Sequence, residues 1–297
     1  MQLIIPMTGQ GSRFATAGYE RLKPFILIHD KPLLWWVLKM FPTIEKNKIL
    51  LILREDHFKN LPYIKSTIEE IAPEAKVFLI DQYDKRGPVP NILRAANLID
   101  NHLPTFVSYC DYYMQWDFEA YCRTLNELAP DGAIPCYSGF HPHLIPEDNL
   151  YACCKADANN NLLEIKEKFS YTKDKTLSLH SPGAYYFKTG TLLKTYYEKS
   201  IQRDLNSNGE YYCSLPYNLM VEDQLKVYVS SNVHHFCQWG TPQDLQDYLI
   251  WIQFLKNQQK VHELEVDKHL SSGAPLEYEN SEKIITYWKE FLSFENI

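Results

Sequence analysis

The chain has 297 residues, 45% of them hydrophobic, 14% aromatic and 23% charged, which supports a sizeable core and excludes a disordered chain. Its 30 Lys and Arg against 37 Asp and Glu leave a formal charge of -7 with no basic block, so neither nucleic acid nor an anionic membrane is the expected partner. Only 11 glycines occur, about half the usual ~7% usage, so each one is worth placing.

Met1 to Met7 has no cationic n-region, and no run approaches the ~18 apolar residues of a membrane span. The 7 cysteines are odd in number and lack C-x-x-C spacing, which reads as reduced thiols. A cytoplasmic, enzyme-sized protein is expected.

Along the chain, Leu3-Ile4-Ile5 is a buried-strand run leading into a glycine-containing loop. Asp30-Lys31-Pro32 reads as a helix start, with Asp30 as cap and Leu33, Leu34, Val37, Leu38 and Phe41 on an apolar face. A strand is predicted over Lys48–Leu53, a helix over Phe58–Ile71 and a strand over Lys76–Ile80. A helix over Asn91–Ile99 and a strand over Thr105–Tyr109 follow, the latter running into Cys110-Asp111. Alternation with crossovers too long for hairpins implies an α/β fold: a mainly parallel, mixed central sheet with helices on both faces.

After about residue 132 the runs Ala133–Tyr137, Tyr151–Lys155, Leu162–Ile165 and Ala184–Phe187 suggest mixed pairing appended to that sheet. Helical pattern returns over Leu192–Ser200, strand character over Leu225–Val229, and a helix begins at Pro242. The expected organisation is a domain over 1–255, with one half to about 131 and a second from about 132, then a helical appendage over 256–297. Tyr287, Trp288, Phe291 and Leu292 give that appendage an apolar stripe, suited either to docking or to an oligomer contact.

The sharpest local feature is Gly9-Gln10-Gly11-Ser12-Arg13 directly after the first strand. Glycines at a strand end let backbone N–H groups approach an anion, because no Cβ intervenes. Phe14 stands where a dinucleotide fingerprint needs its third glycine, and no Gly-Lys-Ser/Thr follows as in a P-loop. Taken alone, the pattern is equally an ordinary strand-to-loop turn.

Ile5 through Phe14, with Lys23-Pro24 and Lys31-Pro32-Leu33 after it, resembles the signature of the nucleotidylyltransferases known as sugar-nucleotide pyrophosphorylases. Asp111 at a strand end, Glu167-Lys168, Gly183-Ala184-Tyr185-Tyr186-Phe187 and Gly240-Thr241-Pro242-Gln243-Asp244 agree with the same family, over roughly residues 2–255. The resemblance implies that an acceptor phosphate, commonly of a sugar 1-phosphate, attacks the α-phosphorus of a nucleoside triphosphate and expels pyrophosphate. Such a transfer needs positioning and charge neutralisation above all.

On that resemblance Thr8, Gly9, Gln10, Gly11 and Ser12 cradle the triphosphate, Arg13 and Lys23 neutralise phosphates, and Asp111 holds Mg²⁺. Gln82 and Gly87 contact the base, and a pyrimidine is favoured. Glu167, Lys168, Gly183 and Glu210 bind the phosphorylated acceptor. One position departs from the family: Gln238 stands where a second metal-binding aspartate is common, so the second ligand is Gln238 itself or a recruited Asp117 or Asp244. His141-Pro142-His143 and His234-His235 lack a third ligand at a metal-site spacing. The implied product is a nucleotide sugar for surface polysaccharide. The alternatives are a cytidylyltransferase acting on a non-sugar metabolite and a catalytically silent nucleotide-binding relative. A glycosyltransferase is disfavoured, since Asp111-Tyr112-Tyr113 lacks the Asp-x-Asp metal motif.

Overall fold

The computed structural model describes residues 1–147, 149–263 and 281–294. The first half runs β1 (Gln2–Met7), α1 (Ser12–Thr16), β2 (Leu27–Ile28), β3 (Lys31–Pro32), α2 (Leu33–Lys39), β4 (Ile49–Arg54), α3 (Glu55–Asn60), α4 (Pro62–Ile71), β5 (Lys76–Ile80), α5 (Pro88–Arg94) and β6 (Thr105–Ser108). Next come β7 (Tyr112–Trp116), α6 (Phe118–Leu128), β8 (Gly132–Pro135), β9 (Cys153–Ala156), β10 (Leu162–Lys166), β11 (Leu179–His180), β12 (Ala184–Phe187) and α7 (Gly190–Gln202). The chain continues through α8 (Pro216–Glu222), β13 (Val227–Ser230), β14 (Val233–Gln238), α9 (Pro242–Glu263) and α10 (Ser281–Phe294).

Seven strands form the central sheet in the order β13-β8-β12-β6-β1-β4-β5. Pairings β1–β4, β1–β6, β4–β5 and β13–β8 are parallel, and only β12 runs antiparallel to its two neighbours. Alternate residues of the central strands feed two cores. Leu3, Ile5, Leu51 and Phe106 face one helical layer, while Ile4, Leu50, Ile52 and Val107 face the other. The expected mixed, mainly parallel sheet is therefore present, although β9, β10 and β11 make a separate three-stranded sheet and do not extend it.

Several predicted boundaries move for identifiable reasons. Asp30 caps no helix: it sits at φ 62° in the tight turn between β2 and β3, and α2 starts after Pro32. Pro32 pairs with Leu27 across that turn instead. The single helix expected over Phe58–Ile71 is two, because Pro62 offers no N–H and restricts Leu61, which is extended at φ -121°, ψ 88°. The helix expected from Asn91 begins three residues earlier, with Pro88 and Pro90 accommodated at its start. Two strands the pattern did not reveal, β7 and β14, pair antiparallel and place Gln238 opposite Tyr112.

Of the expected tail, residues 264–280 and 295–297 lie outside the described residues. Helix α10 docks on its own chain. Ile284, Tyr287, Trp288 and Phe291 are buried, and the Tyr287 hydroxyl both donates to the Phe236 carbonyl and accepts from its N–H. Gln115 Nε2 donates to the Phe291 carbonyl at 3.1 Å. Truncating a fully buried phenylalanine costs about 3–5 kcal/mol. Phe291→Ala should therefore lower urea-unfolding stability by about that amount; a loss below about 1 kcal/mol would show that the helix is not part of the cooperative core.

Candidate active site

Strands β1 and β6 are adjacent and parallel, with Ile4 opposite Val107, so Thr8 and Tyr109 emerge at the same edge of the sheet. Ligands of parallel α/β sheets bind at this carboxyl edge, where flanking connections diverge. A cleft of about 770 Å³ opens there. Its lining includes Thr8 through Arg13, Lys23, Gly87, Asp111, Glu167, Lys168, Gly183, Glu210 and Gln238.

Thirteen residues of the sequence argument thus meet in one cavity, together with Gln238. Gln82 is the exception and does not line it. Its backbone carbonyl accepts from Arg94 at 2.6 Å, and Arg94 also binds Asp81, which fixes this exposed stretch outside the cleft. Tyr83, Asp84 and Lys85 line that wall in its place.

At the β1 end, Gly11 has φ 66° and caps the short α1, turning the loop so that Ser12 and Arg13 face solvent at the cleft mouth. Lys23 opens a 3-10 turn braced by Tyr63, whose hydroxyl accepts from the Leu22 N–H at 3.0 Å. Its Nζ crosses to Asp111 Oδ2 at 3.0 Å, with the two side chains only 18% and 32% exposed. Asp111 is held from behind, because the Trp239 N–H donates to its carbonyl at 3.2 Å.

The opposite wall depends on a residue the sequence did not single out. Asn91 is 1% exposed; it accepts from the Asp84 N–H and donates to the carbonyls of Asp84 and Gly87, each at 2.8 Å. The Arg86 guanidinium holds the Asp84 carboxyl below its ordinary range. The Tyr211 N–H then donates to the Arg86 carbonyl at 2.7 Å, which clamps this loop to the segment carrying Glu210. An asparagine inside a helix, directly after the closely spaced Pro88 and Pro90, was the available signal.

At the far end Glu167 is packed among Tyr109, Tyr185 and Ser214, and the Ser214 hydroxyl donates to its carboxyl. Burial, assisted by Glu210, pushes the Glu167 carboxyl up to about 7. Lys168 adopts φ 52° and lies 5.8 Å over the Tyr212 ring, leaving its ammonium in the cleft. Cys110 also lines the cavity, but burial pushes its thiol up to about 12, so it stays protonated and is no nucleophile.

Asp111 and Gln238 are the residues of the cleft that could hold a divalent cation. A Cβ on Gly240 would stand 2.7 Å from Gln238 Nε2 and 3.2 Å from Asp111 Oδ2, so the glycine preserves the space beside this carboxylate and amide. One carboxylate with a neutral amide suits a hard ion that takes most of its oxygens from phosphates and water. The two alternative aspartates differ. Asp117 caps α6, accepting from the Ala120 N–H at 2.8 Å, and lines a different cavity. Asp244 closes a capping arrangement with Thr241 at the start of α9 and hydrogen-bonds the Gln238 side chain, so it stands behind that amide without itself lining the cleft. Among the described residues no three His, Cys, Asp or Glu side chains gather in a metal-binding group, and His141 and His143 pack against Tyr137 instead.

No protein-family model matches the sequence, and no curated protein sequence matches it. Solved structures match its fold. A nucleoside-diphosphate-sugar pyrophosphorylase from Vibrio cholerae RC9 superposes with TM-score 0.62 at 17% identity, over 84% of this chain and 99% of that one. A Bacillus anthracis protein assigned as a glucose-1-phosphate thymidylyltransferase, solved with a sucrose, gives 0.63 at 16% identity, over 90% and 98%. A UDP-glucose pyrophosphorylase solved with UDP-glucose gives 0.62 at 14% identity, over 86% and 98%. The chain therefore has the fold of the nucleotide-sugar pyrophosphorylases.

Glu167 holds its proton more tightly folded than unfolded, where its ordinary value is 4.5. The stability this contributes is complete below that value and is lost as pH rises through about 7. Glu167→Gln should accordingly match wild type near pH 4.5 and exceed it at pH 8, by about 2 kcal/mol after allowing for partial solvent screening. Urea midpoints at the two pH values check this; a wild-type advantage at pH 8 would mean that the carboxylate ionises there without penalty.

Proposed function

We propose that this chain is a nucleotidylyltransferase that joins a nucleoside triphosphate to a sugar 1-phosphate and releases pyrophosphate. The observation that carries the reading is that one cleft is lined both by the Gly9–Arg13 loop, Lys23 and Asp111 and by Glu167, Lys168 and Glu210. The first group suits a polyphosphate with its cation. The second suits a polar acceptor bearing one phosphate.

In this reading backbone amides of Gly9 to Ser12 hold the triphosphate, and Arg13 at the solvent edge neutralises the departing pyrophosphate. Lys23 draws phosphate oxygens inward as a compact charge. Lys168 holds the acceptor phosphate, one oxygen of which attacks the α-phosphorus. A new P–O bond forms while the bond to the α–β bridging oxygen breaks, and pyrophosphate leaves with that electron pair. Glu167 and Glu210 hold acceptor hydroxyls, and the Tyr83–Pro88 wall receives the base, a pyrimidine in our reading. Asp111 and the Gln238 carbonyl oxygen would hold magnesium, which when bound would supply charge neutralisation to the polyphosphate. We place the reaction in the cytoplasm and its nucleotide-sugar product in surface polysaccharide synthesis. No helix among the described residues is long and apolar enough to cross a membrane.

Pyrophosphate release, assayed with each common nucleoside triphosphate against a panel of sugar 1-phosphates and phosphorylated amines, tests the reading. Turnover with a sugar 1-phosphate is expected. Turnover only with a non-sugar phosphate would move the acceptor class, and none with any pair despite nucleotide binding would favour the silent relative. Asp111→Ala should abolish turnover, a loss of at least ~10³-fold, whereas Gln238→Ala should only weaken it, by ~10-fold. Near-wild-type activity in both variants would sink the metal assignment.

A further inference from the structure

Lys23 and Asp111 lie 88 positions apart in sequence, yet their opposite charges are joined at 3.0 Å inside the cleft. Among the described residues neither side chain forms another ion pair. Gln238, beside Asp111, is neutral, and Lys23 otherwise faces the Phe14 ring at 5.6 Å. Within the cleft the two groups that would serve polyphosphate and cation therefore neutralise each other. A divalent cation arriving alone must displace Lys23 and leave its ammonium close to a second positive charge. A polyphosphate arriving alone must draw Lys23 away and leave Asp111 facing phosphate oxygens. When both arrive, Lys23 passes to phosphate and Asp111 to the cation, and every charge keeps a partner.

We infer that the Lys23–Asp111 pair is an exchangeable charge lock, which makes the site take up divalent cation and polyphosphate as a unit and bind either one poorly alone. The inference rests on the reading of the cleft as a nucleotide site. The coupling is reciprocal, since each ligand improves the site for the other by the same factor, and such factors commonly run from about 5 to 150.

The test measures gains of binding on the full chain with base-free probes. Mn²⁺ alone is titrated by electron paramagnetic resonance, and inorganic triphosphate is titrated calorimetrically in chelator. Lys23→Met, which unmasks Asp111, should bind Mn²⁺ alone at least ~10-fold more tightly than wild type. Asp111→Asn, which frees Lys23, should bind metal-free triphosphate at least ~5-fold more tightly. Lys23→Gln repeats the first arm with a side chain that tolerates a polar cleft. Unchanged or weaker binding in either arm, with native circular dichroism, overturns the lock. If both gains appear while wild type binds no magnesium–nucleoside triphosphate, the lock stands and the nucleotide reading falls. If wild type binds that complex and neither variant gains, the reading stands and the lock falls.

Discussion

The parallel pairing of β1 with β6 is the constraint on which the site depends. Leu3 lies opposite Phe106 and Ile4 opposite Val107, so the two strands end at one edge and their following loops must diverge. The loop after β1 delivers backbone amides and Arg13; the turn after β6 delivers Cys110 and Asp111. Parallel strands force long crossovers, which is why Lys23 and Asp111 meet across 88 positions. The antiparallel β12 on the other side of β6 then brings Gly183 to Tyr109, whose N–H donates to the Gly183 carbonyl at 3.0 Å. Gly183 reaches the same edge by that one reversal of strand direction.

How much of this was legible depends on how locally each feature is determined. Buried parallel strands such as Leu3-Ile4-Ile5 advertise themselves as apolar runs, and the spacing from Gly9 to Lys23 is a local matter of one loop and one turn. The misplacements arise where a proline or a distant partner decides. Asp30 has the chemistry of a helix cap, but Pro32 and the β2–β3 pairing hold it in a left-handed turn. Gln82 has the right residue type near the right place, but Arg94, twelve positions on, ties its carbonyl to the outer surface. Asn91 decides the same wall through three buried hydrogen bonds that no periodicity announces. Strand β14 looked like a polar, histidine-bearing stretch, and only its pairing with β7 places Gln238 at Asp111.

The same distinction applies to the aspartates near the substituted metal position. Asp117 and Asp244 are chemically able to serve, but each begins a helix whose first N–H groups need an acceptor. Asp117 accepts from the Ala120 N–H, and Asp244 is engaged with Thr241 at the start of α9. Local backbone requirements engage both, and Asp244 also hydrogen-bonds the Gln238 side chain, so of these three aspartates only Asp111 lines the cleft.

Charge counting in the cleft is decided by pairing and burial more than by formal sums. Arg13, Lys23, Lys85 and Lys168 line it against Asp84, Asp111, Glu167 and Glu210, a formal balance that would give an anion little reason to enter. Asp84, however, is committed to Arg86, and Glu167 at about 7 carries only part of a charge near neutrality. Asp111 is matched by Lys23. Among the described residues Arg13, Lys85 and Lys168 form no ion pair, and these three cations outnumber the charge left on Glu210 and on a part-ionised Glu167, so the net formal charge lining the cavity is positive although the whole chain carries -7. A protein acidic overall can therefore present an anion site, provided enough of its carboxylates are individually occupied. In this cleft three of the four are: Asp84 by a structural partner, Glu167 in part by a proton, and Asp111 by Lys23, the pairing that the charge-lock inference makes exchangeable.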